Sequence, residues 1–246
     1  MRRFLITIEY VGTNYNGLQL QKNEKRNTVQ GEIEKALKQV FLTDVKMFSS
    51  GRLDAGVHSL GLMAHFDVEN NIETRKIANA LNHYLPSDIS VICVKEVPLD
   101  FHARYNVTQK TYEYRMYVSE FRRATYDDRA LQLYKMPNIA LMQQACNYLL
   151  GTHDFSAFMS QKSSVKTTVR TIKQLSITQK DDFLILNICG SGFLYNMVRI
   201  IVGTLLDVGY EKIKPLDIKT ILGSKDRNNA GKMVEAKGLT LILVEY

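Results

Sequence analysis

The octapeptide Gly51-Arg52-Leu53-Asp54-Ala55-Gly56-Val57-His58 places a guanidinium, a carboxylate and an imidazole among glycines. Glycine tolerates backbone paths closed to other residues, so such a segment can hold side chains at a loop tip. A carboxylate presented there, that of Asp54, suits a nucleophile or a general acid or base. The same segment also suits a solvated turn in which Asp54 bonds its own backbone. A second unusual residue is Arg199, the sole charged residue between Asp182 and Asp207, in a run rich in Leu, Ile, Val and Met. A helix that is apolar nearly all round is buried. An unpartnered guanidinium inside it would cost on the order of several kcal/mol. Arg199 should therefore meet a carboxylate or a phosphate, unless its long side chain reaches solvent. Third, Tyr112 and Tyr114 share one face of a β-rich segment, with Arg104, Lys110 and Arg115 nearby. Aromatic faces among cations suit stacked bases and phosphates; two core tyrosines would give the same pattern.

These residues must be positioned by regular elements. Phe4–Val11 reads as a strand, and Gly12–Asn27 as a long polar loop. Thr28 reads as an N-cap for a helix whose apolar stripe is Val29, Ile33, Ala36, Leu37 and Val40. Short strands are predicted over 46–50 and 62–68, with the Asp54 segment as the loop between them, then a helix over 74–84 and a strand over 89–97. In the second half, Lys110–Val118 is a strand and Asn138 caps a helix that ends before Gly151. Segments 168–178 and 183–189 form a hairpin around Lys180-Asp181-Asp182. Helices are predicted over 193–208 and from Pro215, and a strand over 239–245. Hairpin strands mixed with helices argue for an α+β fold rather than a doubly wound parallel sheet. The division is placed at 1–103 and 104–246, with Asp54 in the first half and Tyr112 and Arg199 in the second.

The balance of 32 Lys and Arg against 25 Asp and Glu, a net charge of +7, favours a polyanionic partner. Three scattered cysteines, Cys93, Cys146 and Cys189, with no CxxC pair, point to reduced thiols. The apolar run Phe4–Ile8 ends at Glu9, too short for a signal-peptide core, and no membrane-length apolar stretch occurs. A cytoplasmic protein is expected. The five histidines lack metal-ligand spacing, so no metal is expected. Gly190-Ser191-Gly192-Phe193-Leu194-Tyr195 lacks the third glycine of a dinucleotide fingerprint, and Gly223–Lys232 is spaced too widely for a P-loop. No cofactor is expected.

Six blocks, in order, resemble the tRNA pseudouridine synthase A family. They are Ile8-Glu9-Tyr10 through Thr28-Val29-Gln30-Gly31; the Gly51–His58 octapeptide; Phe101-His102-Ala103-Arg104 with Lys110-Thr111-Tyr112-Glu113-Tyr114; Gly151–Phe158; Phe193–Arg199 with Gly203-Thr204-Leu205-Leu206; and Ala236-Lys237-Gly238-Leu239. The resemblance implies a pseudouridine synthase fold: a mixed, mainly antiparallel sheet flanked by helices, in two similar halves about a cleft. It implies an enzyme that turns uridine into pseudouridine in the anticodon arm of tRNA, at positions 38–40, without a cofactor and as a homodimer. It assigns Asp54 as the catalytic aspartate, Tyr112 as the active-site tyrosine against the base, and Arg199 as the cation that keeps Asp54 ionised, since a nearby positive charge favours the carboxylate. Arg52 would enter the space left by the flipped base or bind phosphate. Arg104, Lys110, Lys22 and Arg26, with Lys25, Lys162 and Lys166, are further candidates for phosphate contacts. The sequence departs from the family pattern at Leu18 (usually Trp), Leu20 (usually basic), Leu53 (usually Thr) and Glu235 (usually Pro). Arg-Leu-Asp is also the triplet of a sister family acting on ribosomal RNA. A catalytically impaired RNA-binding paralogue is the alternative that the Leu18 and Leu20 departures raise.

Overall fold

The computed structural model describes residues 1–20, 27–160 and 165–246. Lys22, Lys25, Arg26 and Lys162 lie outside the described residues. The chain forms two compact units, Met1–Thr108 with Thr240–Tyr246, and Gln109–Leu239. The first therefore extends past the 103/104 division and takes back the C-terminal strand.

In the first unit, β1 (Arg2–Tyr10) lies between β3 (His58–Val68) and β4 (Ile89–Val97), antiparallel to both. The short β2 (Phe48–Ser49) pairs antiparallel with β3. β10 (Leu239–Glu245) pairs parallel with β3, so the strand pairing is mixed. Strand side chains alternate between faces. Phe4, Ile6 and Ile8 of β1 lie opposite Phe66, Ala64 and Leu62 of β3, and all six are buried. That face is covered by α1 (Val29–Phe41), whose Phe41 ring lies 5.7 Å from Phe66. The predicted cap holds: Thr28 accepts a hydrogen bond from the Gly31 N–H at 3.2 Å. Helix α2 (Thr74–Tyr84) packs on α1 and β4. The opposite face carries Arg3, which grips Asp67 through two bonds of 2.7 Å, and His65, which pairs with Phe48.

In the second unit, β5 (Gln109–Val118), β9 (Phe183–Gly190), β8 (Val169–Lys180) and β7 (Gly151–Asp154) form an antiparallel series. The predicted hairpin turns with Asp181 at φ 53°. β6 (Leu131–Leu133), not anticipated from the sequence, pairs parallel with β5. Helix α3 (Ile139–Leu149) starts at Asn138, whose side chain accepts the Leu141 N–H, and packs against β8, α4 (Met197–Gly209) and α5 (Asp217–Ser224). Both units thus combine strands and helices in an α+β arrangement with mixed, mainly antiparallel pairing.

Two predicted boundaries move by four residues: the strand expected from Leu62 begins at His58, so the Asp54 loop is shorter than expected, and the start of α4 shifts. The helix expected from Phe193 begins at Met197, because Asn196 adopts φ 62°. That left-handed conformation is open to Asn more readily than to most residues, and it blocks helical continuation.

Candidate active site

Asp54 is half-buried in the loop between β2 and β3. The backbone of this loop is fixed from several directions. Leu18 N–H donates to Leu53 O at 3.0 Å, and Ser50 N–H to Met63 O at 2.7 Å. Val57 N–H closes a turn onto Asp54 O at 3.2 Å, with Gly56 at φ 78°. Two glycines from the preceding loop press against it. A Cβ at Gly17, itself at φ 82°, would sit 2.8 Å from Leu53 O, and one at Gly12 would sit 2.0 Å from Val57 O. Gly12 also donates its N–H to Nδ1 of buried His58 at 3.1 Å. The histidine that looked like a candidate acid or base is thus a brace between two loops. Leu53 and Val57 are buried, whereas Arg52 is exposed. A local chain path fixed in this way restricts where the Asp54 carboxylate can point.

The second unit holds the other two candidates. Tyr112 lies on β5 opposite Ile188, is 7% exposed, and meets Phe193 edge-on with ring centroids 5.1 Å apart. Tyr114, on the same face, is a core residue: its hydroxyl donates to Glu235 O at 2.8 Å, and burial pushes its pKa up. The pair therefore divides, with Tyr114 fixed by the core. Arg199 lies in the first turn of α4, a helix otherwise buried at Met197, Val198 and Ile200–Leu206. Its Nε donates to Val234 O at 2.8 Å, and its Nη1 to Asn196 Oδ1 at 3.1 Å. Asn196 in turn donates to Ser160 Oγ at 2.9 Å. The planar guanidinium is held by a main-chain carbonyl and an amide, which fixes its orientation. Close backbone packing supports the helix: a Cβ on Gly203 would lie 1.7 Å from Lys232 O.

The other sequence candidates are more dispersed. Arg104 is exposed beside Tyr105 in the first unit, and Lys110 is half-buried at the start of β5. Lys166 is exposed. In the Gly151–Phe158 block, the Thr168 hydroxyl, the Ser156 N–H and Lys225 hold the Asp154 carboxyl down at about 2. That aspartate is an anchor between β7 and the end of α5. Cys146 and Cys189 are buried and Cys93 is half-buried, all as free thiols.

A family model described as tRNA pseudouridine synthase matches residues 6–106 and 145–246, segments that include Asp54 and Arg199. The chain belongs to the tRNA pseudouridine synthase family. It is 47% identical to "tRNA pseudouridine synthase A" of Caldicellulosiruptor saccharolyticus and 46% identical to the protein of that name from Acetivibrio thermocellus, each over 100% of both chains. The relative of the same name in Clostridium acetobutylicum is 44% identical, again over 100% of both chains. Among solved structures, a chain of the "Crystal Structure of a Cbf5-Nop10-Gar1 Complex" is similar at a TM-score of 0.37 and 11% identity, covering 96% of this chain and 57% of that one. A likeness so distant carries no argument.

Against the tRNA pseudouridine synthase pattern, the departures fall into two kinds. Leu18 is fully buried and Leu53 is 8% exposed, so both are packing residues. Leu20 is 57% exposed and alters a surface. Glu235 keeps the main-chain carbonyl that receives the Tyr114 hydroxyl.

Proposed function

We propose that this protein isomerises uridine to pseudouridine in the anticodon arm of tRNA, with Asp54 as its catalytic carboxylate. The observation that carries the reading is the Asp54 loop, braced by Gly12, Gly17 and His58, in a chain that aligns end to end with relatives named tRNA pseudouridine synthase A. The reaction breaks the N1–C1′ bond of uridine, turns the uracil and joins C5 to C1′. The proton lost from C5 is matched by one gained at N1, so nothing is oxidised and no group leaves. Such a reaction needs no redox partner. It needs a base drawn out of its stack, an ionised carboxylate at the sugar or the ring, and a route for the C5 proton.

Asp54 supplies the carboxylate, whether by attack at C1′ or C6 or by assisting loss of the C2′ hydrogen. Tyr112 lies against the uracil or takes part in removing the C5 proton. Arg199, its guanidinium oriented by Val234 O and Asn196, supports the ionised form of Asp54. Arg52 fills the gap left by the extruded base or binds phosphate, and Arg104 and Lys110, with Lys22 and Arg26, contact the RNA backbone. The working form is a homodimer in the cytoplasm, which light scattering of the pure protein and cell fractionation measure.

The deciding experiment is incubation of the pure protein with tRNA carrying tritium at uridine C5, followed by mapping of pseudouridine. Release of tritium with pseudouridine in the anticodon arm supports the reading. Tight tRNA binding with neither product would leave the alternative, an RNA-binding paralogue without activity. That alternative draws on Leu18, which is buried, and Leu20, which is exposed.

A further inference from the structure

The first unit carries a built feature beside the Asp54 loop that the reaction described above does not use. On the face of β3 away from the helices, Phe48 stacks on His65 with centroids 5.2 Å apart and planes at 19°. His65 meets His102 edge-on at 4.7 Å, and His102 lies 4.3 Å from Tyr105. Three separate chain segments thus converge into one aromatic shelf. Its outer members face solvent: Tyr105 is 75% exposed and Phe48 48%. Single exposed aromatics are ordinary, but a contiguous row of them is not.

The shelf forms one side of a cavity of about 410 Å³, which cations also line: Lys46, Arg52 and Arg104. That volume falls within the range of small-ligand clefts, roughly 300–1,000 Å³. The acid on the wall, Glu34, is already engaged, accepting from Gln30 Nε2 at 2.8 Å and from the Met47 N–H at 3.0 Å. Arg52 lies two residues before Asp54, so their α-carbons are at most about 7 Å apart. The cavity therefore adjoins the catalytic loop.

The shelf is also rigidly mounted. Ala103 N–H donates to His65 Nδ1 at 3.1 Å, and Tyr246 donates to Ala103 O at 2.9 Å. His102 N–H bonds Asn106 Oδ1 at 2.7 Å, and the Tyr105 and Asn106 amides both return to His102 O. A surface ordered before its ligand arrives loses little entropy on binding. Flat faces beside positive charge match a base beside a phosphate.

We propose that this cavity seats a second unstacked nucleotide of the substrate RNA, distinct from the uridine that is isomerised. Its base packs among the Phe48, His102 and Tyr105 rings, which are inclined to one another by 58° and 34° and so present separate faces, and its phosphate meets Arg52, Arg104 and Lys46. The proposal rests on the reading of the protein as an RNA-modifying enzyme. It gives the chain a way to grip the loop at two points, so that the target base is extruded while its neighbour holds the strand in register.

The test measures binding of a synthetic tRNA anticodon stem-loop to Asp54→Asn protein, with and without Tyr105→Ala, Tyr105→Phe or Phe48→Ala. Each loop nucleotide is replaced in turn by an abasic one. Loss of a stacked base predicts about a tenfold higher Kd for Tyr105→Ala and for Phe48→Ala, and a near-normal Kd for Tyr105→Phe. The loss should vanish for RNA abasic at one loop position other than the isomerised uridine. Coupling to the isomerised uridine itself would overturn the proposal, because the cavity would then belong to the target base. So would equal penalties for every RNA, or unchanged affinity in both alanine variants. The underlying reading fails separately, if wild-type protein makes no pseudouridine in the same stem-loop.

Discussion

The two units hold their candidate reactive groups by different means. In the first, Asp54 is placed by main chain: the Leu18 and Ser50 amides, the turn at Gly56, and close approaches at Gly12 and Gly17 fix the loop. In the second, Arg199 is placed by its own hydrogen bonds, to Val234 O and Asn196 Oδ1, on a helix whose packing is already complete. A carboxylate on a short side chain has few rotamers, so fixing its backbone nearly fixes the group. A guanidinium on a long side chain must be held at its end. The difference teaches where each unit is fragile. Activity in the first should fail through the glycines that frame its loop, and activity in the second through the partners of one side chain.

Apart from replacement of Asp54 itself, the largest expected effect on turnover is at Arg199. Arg199→Leu removes two charge-assisted bonds and leaves Val234 O without that donor, so stability should fall by about 2–3 kcal/mol. Turnover on tRNA should fall about a hundredfold. Arg199→Lys should recover stability better than turnover, since an ammonium cannot reproduce a planar fork. Chemical denaturation and initial rates check both. Full activity in Arg199→Leu would remove this residue from the account.

Next are the glycines. Gly203→Ala would force a Cβ to 1.7 Å from Lys232 O and should cost about 3 kcal/mol. Gly17→Ala meets Leu53 O at 2.8 Å and sits at positive φ, so it should cost about 1–2 kcal/mol and lower turnover more than its stability loss explains. Gly223→Ala, in α5 with nothing within 4 Å, should be neutral or stabilising by up to about 1 kcal/mol. Thermal melts order the three variants, and a turnover loss in Gly17→Ala no larger than its stability loss explains would erase the proposed contrast.

A pH effect of comparable size, between pH 6.5 and 4, arises in the first unit. Burial, then the charge of Arg3, lowers the His65 pKa to about 4, and its Nδ1 accepts the Ala103 amide. The unfolded chain protonates this imidazole near pH 6.5, the folded chain only near pH 4. The unfolded state therefore binds more protons in that window, and stability should drop as pH falls from 6.5 towards 4, by about 3 kcal/mol at most. His65→Gln, which keeps an acceptor but does not titrate, should flatten the slope. The smallest predicted losses are alike in both units: Thr28→Ala and Asn138→Ala each lose a helix cap worth about 1 kcal/mol. A much larger loss at either cap would show that the helix ends carry more than local stability.

Much of this arrangement was legible in the sequence where the signal is local. Thr28 and Asn138 read as caps because short polar side chains there can bond the first turn. The hairpin at Asp181 and the spans of α2 and β4 followed from periodicity. The Asp54 loop stood out because two glycines bracketed unlike charges, and the structure adds that Gly12 and Gly17 are the residues that let another segment press against it. Long-range pairings were not legible. β10 runs parallel to β3, a partner distant in the chain, and the three-residue β6 runs parallel to β5; no local pattern encodes either pairing. The start of α4 was misplaced because Phe193, Leu194 and Met197 extend the apolar pattern, while the left-handed turn at Asn196 depends on bonds to Ser160 and Arg199. The aromatic shelf was missed for a related reason. Phe48, His65 and His102 lie in three segments, each unremarkable alone.

The central claim is that a carboxylate at Asp54 performs the isomerisation. It is tested most directly by tritium release and pseudouridine mapping on tRNA with Asp54→Asn protein, alongside its tRNA affinity. The account predicts at least a thousandfold loss of product formation, with affinity and melting temperature close to wild type. Wild-type turnover in that variant would contradict it.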